Sequence, residues 1–430
     1  MAERLGRRAD YTDPVGDWPA TGGREHEHTA RATWQAPLPE NAPMMNRGHF
    51  RSPGPATWRA STVLFDSTAD LAEALEGMKT LDPAFSTYGT IGTPTINALE
   101  ELLVAGEGGA GVALGPSGLA AITIAFFAVA KAGDHVLVTD SAYGPTRDLC
   151  DSVLTRLGID VEYYDPLAGA AIAARIRPNT SAIWMESPGT HTFEIQDVPA
   201  IVAAARAADH RIATVIDNTW GSPGLLRPFD LGVDVSVVAL TKYWGGHADV
   251  LMGGAFATAE LFPEVRRTQQ RLGMCTNGED AFLVTRGART AELRIRASEA
   301  GALEIARRLA DHPRVGRVLH PGLPDDPGHD LWRRDFHGSS GLFAFELLAP
   351  DGGAATGAQV DAFTDRLAAA GHFGLGYSWG GFESLVMPAR WSGVKRSVRP
   401  WTGGELIRLH VGIEPVDELW GDLEVALKVE

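Results

Sequence analysis

Between residues 76 and 285, short apolar runs typical of buried strands alternate with helical patterns. Such an alternation favours parallel strands joined by crossover helices, because a tight turn cannot connect two parallel strands. We therefore predict an α/β fold whose large, mostly parallel sheet is covered by helices. The strand-like runs are residues 135–139, 161–164, 182–185, 212–216 and 235–240, and the helical patterns are residues 99–104, 119–130, 151–157 and 198–208.

Two further regions flank this segment, and with 430 residues the chain is too long for one ordinary domain. Residues 1–75 are rich in Pro, Gly, Arg and His, and we predict an N-terminal arm whose first part, about 40 residues, is mobile. An Arg/Glu-rich helical pattern at residues 290–310 opens the third region. The predicted organisation is thus an arm (1–75), an α/β domain (76–285) and a smaller C-terminal α+β domain (286–430).

Composition argues against several classes of partner, since the formal net charge is −16 and no basic face for nucleic-acid phosphates is evident. Cys150 and Cys275 are the only cysteines, which excludes a disulfide framework and fits a reducing compartment. The longest apolar stretch, residues 119–130, is too short to cross a bilayer, and the N-terminus lacks a signal peptide's apolar core. His26 and His28 lie in a polar arm, where a solvated tail is commoner than a metal site. We expect a cytoplasmic protein without a metal, membrane or nucleic-acid partner.

A lysine and an aspartate follow successive strands of the predicted sheet. Asp217 comes after the run at residues 212–216, and Lys242 comes after the run at residues 235–240. Parallel strands deliver their C-terminal residues to one crevice, where a desolvated lysine can lose its proton and attack a carbonyl. Pyridoxal phosphate (PLP) requires a lysine for its Schiff base and a carboxylate that keeps its pyridine nitrogen protonated. A lone strand-end lysine is usually a solvated surface residue, so this interpretation depends on the pair.

The Gly-Pro-Ser-Gly loop before the helical pattern at residues 119–130 is suited to phosphate binding. Small residues let the backbone approach an anion closely, and the amides and dipole of a helix N-terminus favour negative charge. We predict that the amides of Gly118 and Leu119 and the hydroxyl of Ser117 donate to the phosphate. Tyr143 follows the next strand, where its ring can stack on a flat cofactor. A strand–turn–helix joint without a ligand and a half-buried tyrosine are the plainer alternatives.

These residues and several longer segments resemble the fold-type-I PLP enzymes of cysteine and methionine metabolism, and within that family the bacterial cystathionine β-lyase branch. The resemblance covers nearly the whole chain after about residue 58. Glu186-Ser-Pro-Gly and Asp217-Asn-Thr-Trp look more similar to the β-lyase branch than to the γ-synthase and γ-lyase branch, whose first motif usually continues with Thr-Asn-Pro. The other matching segments are residues 165–170, 197–204, 241–249, 334–343, 377–384 and 405–414.

The resemblance implies a role for each candidate residue. Lys242 corresponds to the lysine that forms the Schiff base and later moves protons, Asp217 to the partner of the pyridine nitrogen, and Tyr143 to the tyrosine that stacks on the ring. Arg408 corresponds to the guanidinium that binds the substrate α-carboxylate, which its bidentate geometry suits; a strand arginine paired with a nearby glutamate is the plainer alternative. The amides of Gly118 and Leu119 and the hydroxyl of Thr241 correspond to the groups that bind the phosphate. Ser378 and Trp379 correspond to the loop beside the substrate carboxylate, although a tryptophan at this position is also typical of ordinary packing. Tyr88 corresponds to a tyrosine that reaches into the neighbouring subunit's site.

One segment departs from the family pattern. The family usually has Tyr-x-Arg where this chain has Tyr88-Gly-Thr90, and that arginine crosses the dimer interface to the phosphate. A threonine donates one neutral hydrogen bond where an arginine gives a charged pair. Either another cation, such as Arg59 or Arg47, takes its place or the cofactor is held less tightly. The shared site implies an obligate homodimer, commonly paired into a tetramer.

The resemblance further implies a PLP-dependent carbon–sulfur β-lyase whose small amino-acid substrate is cystathionine, with homocysteine, pyruvate and ammonia as products. A γ-lyase, a γ-synthase or a specialised cysteine-conjugate lyase on the same scaffold would differ only in contacts to the distal part of the substrate. A protein that binds PLP without turnover is a third alternative, which the presence of Lys242, Asp217 and Arg408 disfavours.

Overall fold

The computed structural model describes residues 54–81, 85–208, 211–392 and 396–428, and its larger sheet has seven strands. The strands are β1 (Gly111–Gly115), β2 (His135–Thr139), β3 (Asp160–Tyr164), β4 (Thr180–Glu186), β5 (Ala213–Asp217), β6 (Val235–Val238) and β7 (Gly253–Ala257). Their spatial order is β1-β7-β6-β5-β4-β2-β3. β7 runs antiparallel to β1 and β6, and the other neighbours are parallel. The mostly parallel sheet predicted from the alternation is confirmed.

Both faces of this sheet are covered, because consecutive strand residues point to opposite faces and both sets are apolar. On β4, Trp184 packs on one face against Phe126, with ring centroids 4.3 Å apart. Its neighbours Ile183 and Met185 belong to the core on the other face. The α-helices between residues 68 and 288 are α1 (Thr68–Gly77), α2 (Pro94–Glu107), α3 (Gly118–Val129), α4 (Gly144–Leu149), α5 (Val198–Arg206), α6 (Phe262–Arg271) and α7 (Gly278–Ala288).

The loop between β1 and α3 lies at the same edge of the sheet as the ends of β5 and β6. β7 is antiparallel to both β1 and β6, so β1 points in the same direction as β6. Ser117 ends this loop as the N-cap of α3, since its Oγ accepts a hydrogen bond from the amide of Ala120 at 3.1 Å. The cap therefore fixes where the helix begins, beside the other strand ends.

A smaller sheet forms nearer the C-terminus from β8 (Val315–Leu319), β9 (Leu342–Leu347), β10 (Phe373–Leu375), β11 (Ser384–Pro388) and β12 (Leu406–His410). Its order is β10-β11-β12-β9-β8, and only β10 and β11 are parallel neighbours. The accompanying helices are α8 (Ala291–Ala310), α9 (His329–Asp335), α10 (Gly357–Ala370) and α11 (Val416–Leu427). α8 spans the long helix predicted at residues 290–310, and the α+β character predicted for this part is confirmed.

One local prediction was wrong in detail, and one helix was not located from the sequence. The helix predicted at residues 151–157 begins earlier, at Gly144, and residues 150–157 form π and 3-10 turns that follow it. α1 begins near the end of the predicted arm and extends two residues beyond it, and Ser67 caps it by accepting from the amide of Asp70 at 3.1 Å. Only Ala74 of this helix is buried, so its pattern carries little of the periodicity by which helices are recognised.

Two kinds of feature are absent from the ranges that the structure describes. None of their helices is long and apolar enough to span a membrane, and no three His, Cys, Asp or Glu side chains are grouped to bind a metal ion. The predictions for His26, His28, Arg47 and the first part of the arm concern residues outside these ranges. Cys150 is buried and Cys275 is exposed, both as free thiols.

Candidate active site

The ends of β4, β5 and β6 bring three ionisable side chains to one edge of the large sheet. Glu186 and Asp217 are the last residues of their strands and are direct partners in the register. β6 ends at Val238, and Lys242 follows in a tight turn in which its amide donates to the carbonyl of Ala239 at 3.1 Å. The predicted lysine and aspartate therefore converge. Glu186 had no predicted role, although a carboxylate directly after the apolar run at 182–185 was the same kind of signal.

Lys242 is partly buried, and its ammonium group has a short hydrogen bond. Nζ donates to Oγ of Ser378 at 2.7 Å and lies 5.3 Å from the centre of the Trp379 ring. Burial lowers the pKa of Lys242 to about 8; the positive charge of Arg408 adds to this effect, and Asp217 opposes it. Lys242 thus loses its proton more readily than an exposed lysine, as a nucleophile or general base requires.

Asp217 and Glu186 form a buried pair of carboxyl groups. Oδ1 of Asp217 accepts from the amide of Thr219 at 3.0 Å and from its hydroxyl at 2.6 Å. Oε2 of Glu186 accepts from the amide of Tyr143 at 2.7 Å, and Oε1 accepts from the hydroxyl of Thr190. Burial raises the pKa of both carboxyl groups, and the charge of Asp217 raises that of Glu186 further. A cation beside Asp217 would relieve this repulsion.

Tyr143 lies directly before α4 with its side chain about half exposed. Burial raises the pKa of its phenol, and the negative charges of Asp217 and Glu186 raise it further, whereas Arg408 acts in the opposite direction. These interactions link the phenol to the same crevice. The accessible part of the ring suits the predicted stacking on a flat cofactor.

The loop after β1 approaches the Lys242 turn because β1 pairs with β7. Gly115 is the register partner of Gly253, and a Cβ at Gly253 would clash with the carbonyl oxygen of Ser117. A Cβ at Gly118 would lie 2.8 Å from the Cβ of Ala239, just ahead of the lysine. Two glycines therefore allow the loop to lie against the turn.

Polar groups of this loop are available to an anion. Across the part of the chain that the structure describes, the amides of Gly118 and Leu119 have no hydrogen-bond acceptor. Oγ of Ser117 accepts from a backbone amide, which leaves its proton free to donate. Unpaired amides at a helix N-terminus are suited to phosphate, and the role of these groups stays a prediction.

Thr241 is less available than predicted. Its Oγ1 donates to the carbonyl of Met252 at 3.2 Å and accepts from the amide of Met252 at 3.1 Å, so the hydroxyl must turn away to donate to a phosphate. The other groups fit PLP. They comprise anion donors at the start of α3, a lysine whose pKa is lowered and a carboxylate suited to a protonated pyridine nitrogen.

The smaller sheet contributes Arg408 and a loop on another side of Lys242. Nη2 of Arg408 donates to the carbonyl of Ser378 at 3.1 Å, and Trp379 packs edge-on against Tyr243 with ring centroids 5.6 Å apart. Burial lowers the pKa of Arg408 to about 10. Among the described residues, no carboxylate forms an ion pair with Arg408, so its charge is available to a substrate carboxylate.

Tyr88 and Thr90 lie apart from this group. Tyr88 is half exposed, and within the described ranges neither residue has a hydrogen bond or ring contact with the crevice around Lys242. Arg59, one of the cations considered as a substitute for the missing arginine, forms a surface ion pair with Glu279. One chain therefore brings together the predicted residues except for this segment.

Known proteins resemble the chain over most of its length. The chain is 43% identical over 372 residues to the cystathionine beta-lyase of Bordetella avium (86% of this chain and 90% of that protein), and 39% identical over 369 residues to the cystathionine beta-lyase MetC of Escherichia coli (85% and 91%). The crystal structure of cystathionine gamma-lyase from Lactobacillus plantarum, complexed with L-serine, matches with a TM-score of 0.75 at 31% identity, over 86% of this chain and 92% of that one. The family model described as Cys/Met metabolism PLP-dependent enzyme matches residues 42–428. This chain belongs to that family of PLP-dependent enzymes.

Proposed function

We propose that this protein is a carbon–sulfur β-lyase that cleaves cystathionine to homocysteine, pyruvate and ammonia. The observation that carries the proposal is Lys242, a strand-end lysine with a lowered pKa that lies within the electrostatic reach of Asp217 and Arg408. Similarity to two cystathionine beta-lyases over most of the chain supports the choice of substrate. We place the enzyme in the cytoplasm, because two free cysteines are compatible with a reducing compartment.

Lys242 is the proton carrier in this proposal. When bound, PLP supplies the electron sink that stabilises negative charge at the substrate Cα. Nζ of Lys242 removes the Cα proton, and its lowered pKa increases the share of neutral amine near neutral pH. The hydrogen bond to Ser378 at 2.7 Å limits where the amine can lie. Nζ then delivers a proton to the departing thiolate sulfur.

Asp217 and Arg408 hold opposite charges in place. The carboxylate of Asp217, oriented by two hydrogen bonds from Thr219, keeps the pyridine nitrogen protonated. Arg408 binds the substrate α-carboxylate with its guanidinium, which no described carboxylate neutralises. A substrate held between these two charges would present its Cα–H bond to Lys242.

The phosphate is held by the start of α3. The amides of Gly118 and Leu119 and the hydroxyl of Ser117 donate to it, and the helix dipole adds to the attraction. Thr90 contributes at most a neutral hydrogen bond. The surface pairing of Arg59 with Glu279 supports a phosphate that is held less tightly than one bound by an interface arginine.

A complete site requires two chains in this proposal. Tyr88 is half exposed and lies apart from its own chain's Lys242. α1 exposes Leu71 and Leu75, which lie one turn apart on the same side of the helix. Both features support a dimer in which residues 58–81 and 85–92 of one chain reach the crevice of the other, and pairing of dimers gives a tetramer.

A γ-lyase is the second candidate. The Lactobacillus plantarum cystathionine gamma-lyase shares 31% identity and the fold with this chain. γ-Elimination needs the same lysine, carboxylate and arginine, but it breaks the Cγ–S bond of cystathionine and yields 2-oxobutyrate and cysteine. The two candidates therefore differ in products more than in the groups that surround the amine.

Product analysis with L-cystathionine separates these functions. Protein reconstituted with PLP should release pyruvate and homocysteine. The Lys242→Ala variant serves as the control for product release that does not depend on this lysine. Release of 2-oxobutyrate and cysteine would replace the β-lyase proposal with the γ-lyase one. A wild-type protein that carries PLP on Lys242 but releases neither keto acid would point to cofactor binding without turnover.

A further inference from the structure

His410 is a buried histidine at the end of β12, two residues after Arg408. Its Nε2 accepts a hydrogen bond from the amide of Gly380 at 3.0 Å. Gly380 belongs to the loop that carries Ser378 and Trp379, and so His410 connects the smaller sheet to the loop beside Lys242.

At Gly380 the backbone of the loop lies against the lysine turn. A Cβ there would lie 3.0 Å from the Cβ of Lys242 and 3.0 Å from the amide nitrogen of Tyr243. Gly380 has a φ of 79° and Ser378 a φ of 82°, a conformation that is costly for the serine unless its surroundings hold it. The loop therefore needs external anchors to keep the Ser378 hydroxyl in place.

The geometry assigns the proton of the imidazole. The Gly380 amide hydrogen points at Nε2, so Nε2 carries the lone pair and Nδ1 carries the proton. The carbonyl of Gly381, 3.3 Å from Nε2, could accept only from the opposite tautomer, so the shorter contact with the Gly380 amide favours the Nδ1-protonated form, whose Nδ1 has no hydrogen-bond partner among the described residues. Burial, assisted by the charges of Arg408 and Lys242, lowers the pKa of His410 to about 4. The ring stays a neutral acceptor around neutral pH.

We propose that His410 is a positioning residue whose Nε2 lone pair anchors Gly380 and thereby holds the Ser378 hydroxyl against Nζ of Lys242. Two other contacts complete the anchoring: Nη2 of Arg408 donates to the carbonyl of Ser378, and Nζ of Lys242 donates to its hydroxyl. The inference rests on the proposed function only where it treats Lys242 as the reacting amine. His410 acts through the backbone of the loop.

Hydrogen exchange measures this anchoring without any turnover. In His410→Ala, peptides covering residues 378–382 should exchange faster than in the wild type, because the Gly380 amide loses its acceptor. His410→Gln restores an acceptor of similar reach and should restore the protection. His320→Ala is the matched control, since His320 is also fully buried, accepts from the amide of Gly322 at 3.0 Å through Nδ1 and has its pKa lowered to about 4. Unchanged exchange at 378–382 in His410→Ala would overturn the proposal.

Kinetics with cystathionine tests the consequence for the amine. In PLP-loaded His410→Ala, kcat should fall about tenfold or more at unchanged cofactor occupancy, because the lysine is misplaced, and His410→Gln should regain most of it. If the alanine variant does not fold, His410→Asn takes its place and is compared with His410→Gln. The asparagine amide is too short to reach Gly380. An equal loss in His320→Ala would reduce the effect to general destabilisation and overturn the proposal. Faster exchange with no cleavage by the wild type would instead refute the proposed function alone.

Discussion

The crevice around Lys242 and the segment at residues 58–92 differ in how far one chain completes them. In the crevice, Lys242, Asp217 and Glu186 are surrounded by groups of their own chain, which alter the pKa of each. In the segment, Tyr88 is exposed, and no cation stands at Thr90. The difference indicates that the acid–base groups of the site are organised within a single fold, whereas in our proposal a second chain completes the cofactor phosphate site and the entrance.

Removal of the amine should have the largest effect on the crevice. Lys242→Ala should lower kcat by about a thousandfold or more, because covalent attachment and proton transfer are lost together. Borohydride treatment of the PLP-loaded wild type followed by mass spectrometry should find the pyridoxyl group on Lys242. Lys131→Ala, at an exposed lysine after α3, should keep wild-type activity. A pyridoxyl group on a different lysine would contradict the assignment.

Mixed dimers test whether the segment serves the other chain. Tyr88→Ala and Lys242→Ala homodimers should both be nearly inactive. Co-expression of the two variants should recover about a quarter of the wild-type activity, because half of the dimers are mixed and each mixed dimer has one intact site. No recovery from folded mixed dimers would show that each chain builds its site alone and would remove the contrast between the two regions.

Stability of the PLP-free protein should reveal the cost of placing a lysine in the crevice. The pKa of Lys242 falls from 10.5 to about 8 on folding, so between these values the unfolded chain binds more protons and stability rises with pH. Below pH 8 the buried ammonium destabilises the fold. Lys242→Met should therefore raise the denaturant midpoint at pH 7, and the gain should fade by pH 10.5. The same gain in the denaturant midpoint at both pH values would mean that packing, and not charge, is responsible. The control variant Lys131→Met should leave the midpoint unchanged at both pH values.

The smallest effect is expected at position 90, where this chain has a threonine in place of the family's arginine. Thr90→Arg should slow PLP loss during dialysis several-fold, since a guanidinium can form a charged pair with the phosphate across the interface. Thr90→Gln supplies similar length without charge and should behave like the wild type. Equal retention in all three proteins would indicate that another cation already binds the phosphate.

Sequence reasoning could place Lys242 and Asp217 because the ends of parallel strands converge, and apolar runs are enough to locate those ends. The same rule applied to β4 finds Glu186. Ser378 could be found only through the family resemblance, because its contact with Lys242 depends on how the two sheets pack. For His410 the strand pattern predicts only burial, and no pattern indicates that its Nε2 reaches Gly380.

The elements that the sequence patterns did not locate were missed for different physical reasons. α1 buries only Ala74, so the apolar face by which helices are recognised is missing. The turns at residues 150–157 continue a helix whose start, directly after Tyr143, is set by the end of β2 and the loop that follows it. The hydrogen-bond partners of hydroxyl groups also depend on the folded structure and not on a sequence pattern, as the bond from Thr241 to Met252 illustrates.

The pairing of Gly115 with Gly253 has a consequence for the order of folding. The phosphate loop and the lysine turn are distant in sequence and meet only when β7 inserts between β1 and β6, which closes two antiparallel ladders together. Contacts of such long sequence separation slow folding, because the intervening chain must be closed before they form. A cofactor that binds both the loop and the turn can bind only once the two have met. We therefore expect PLP to lengthen the lifetime of the native state by slowing unfolding, with little effect on the rate of folding.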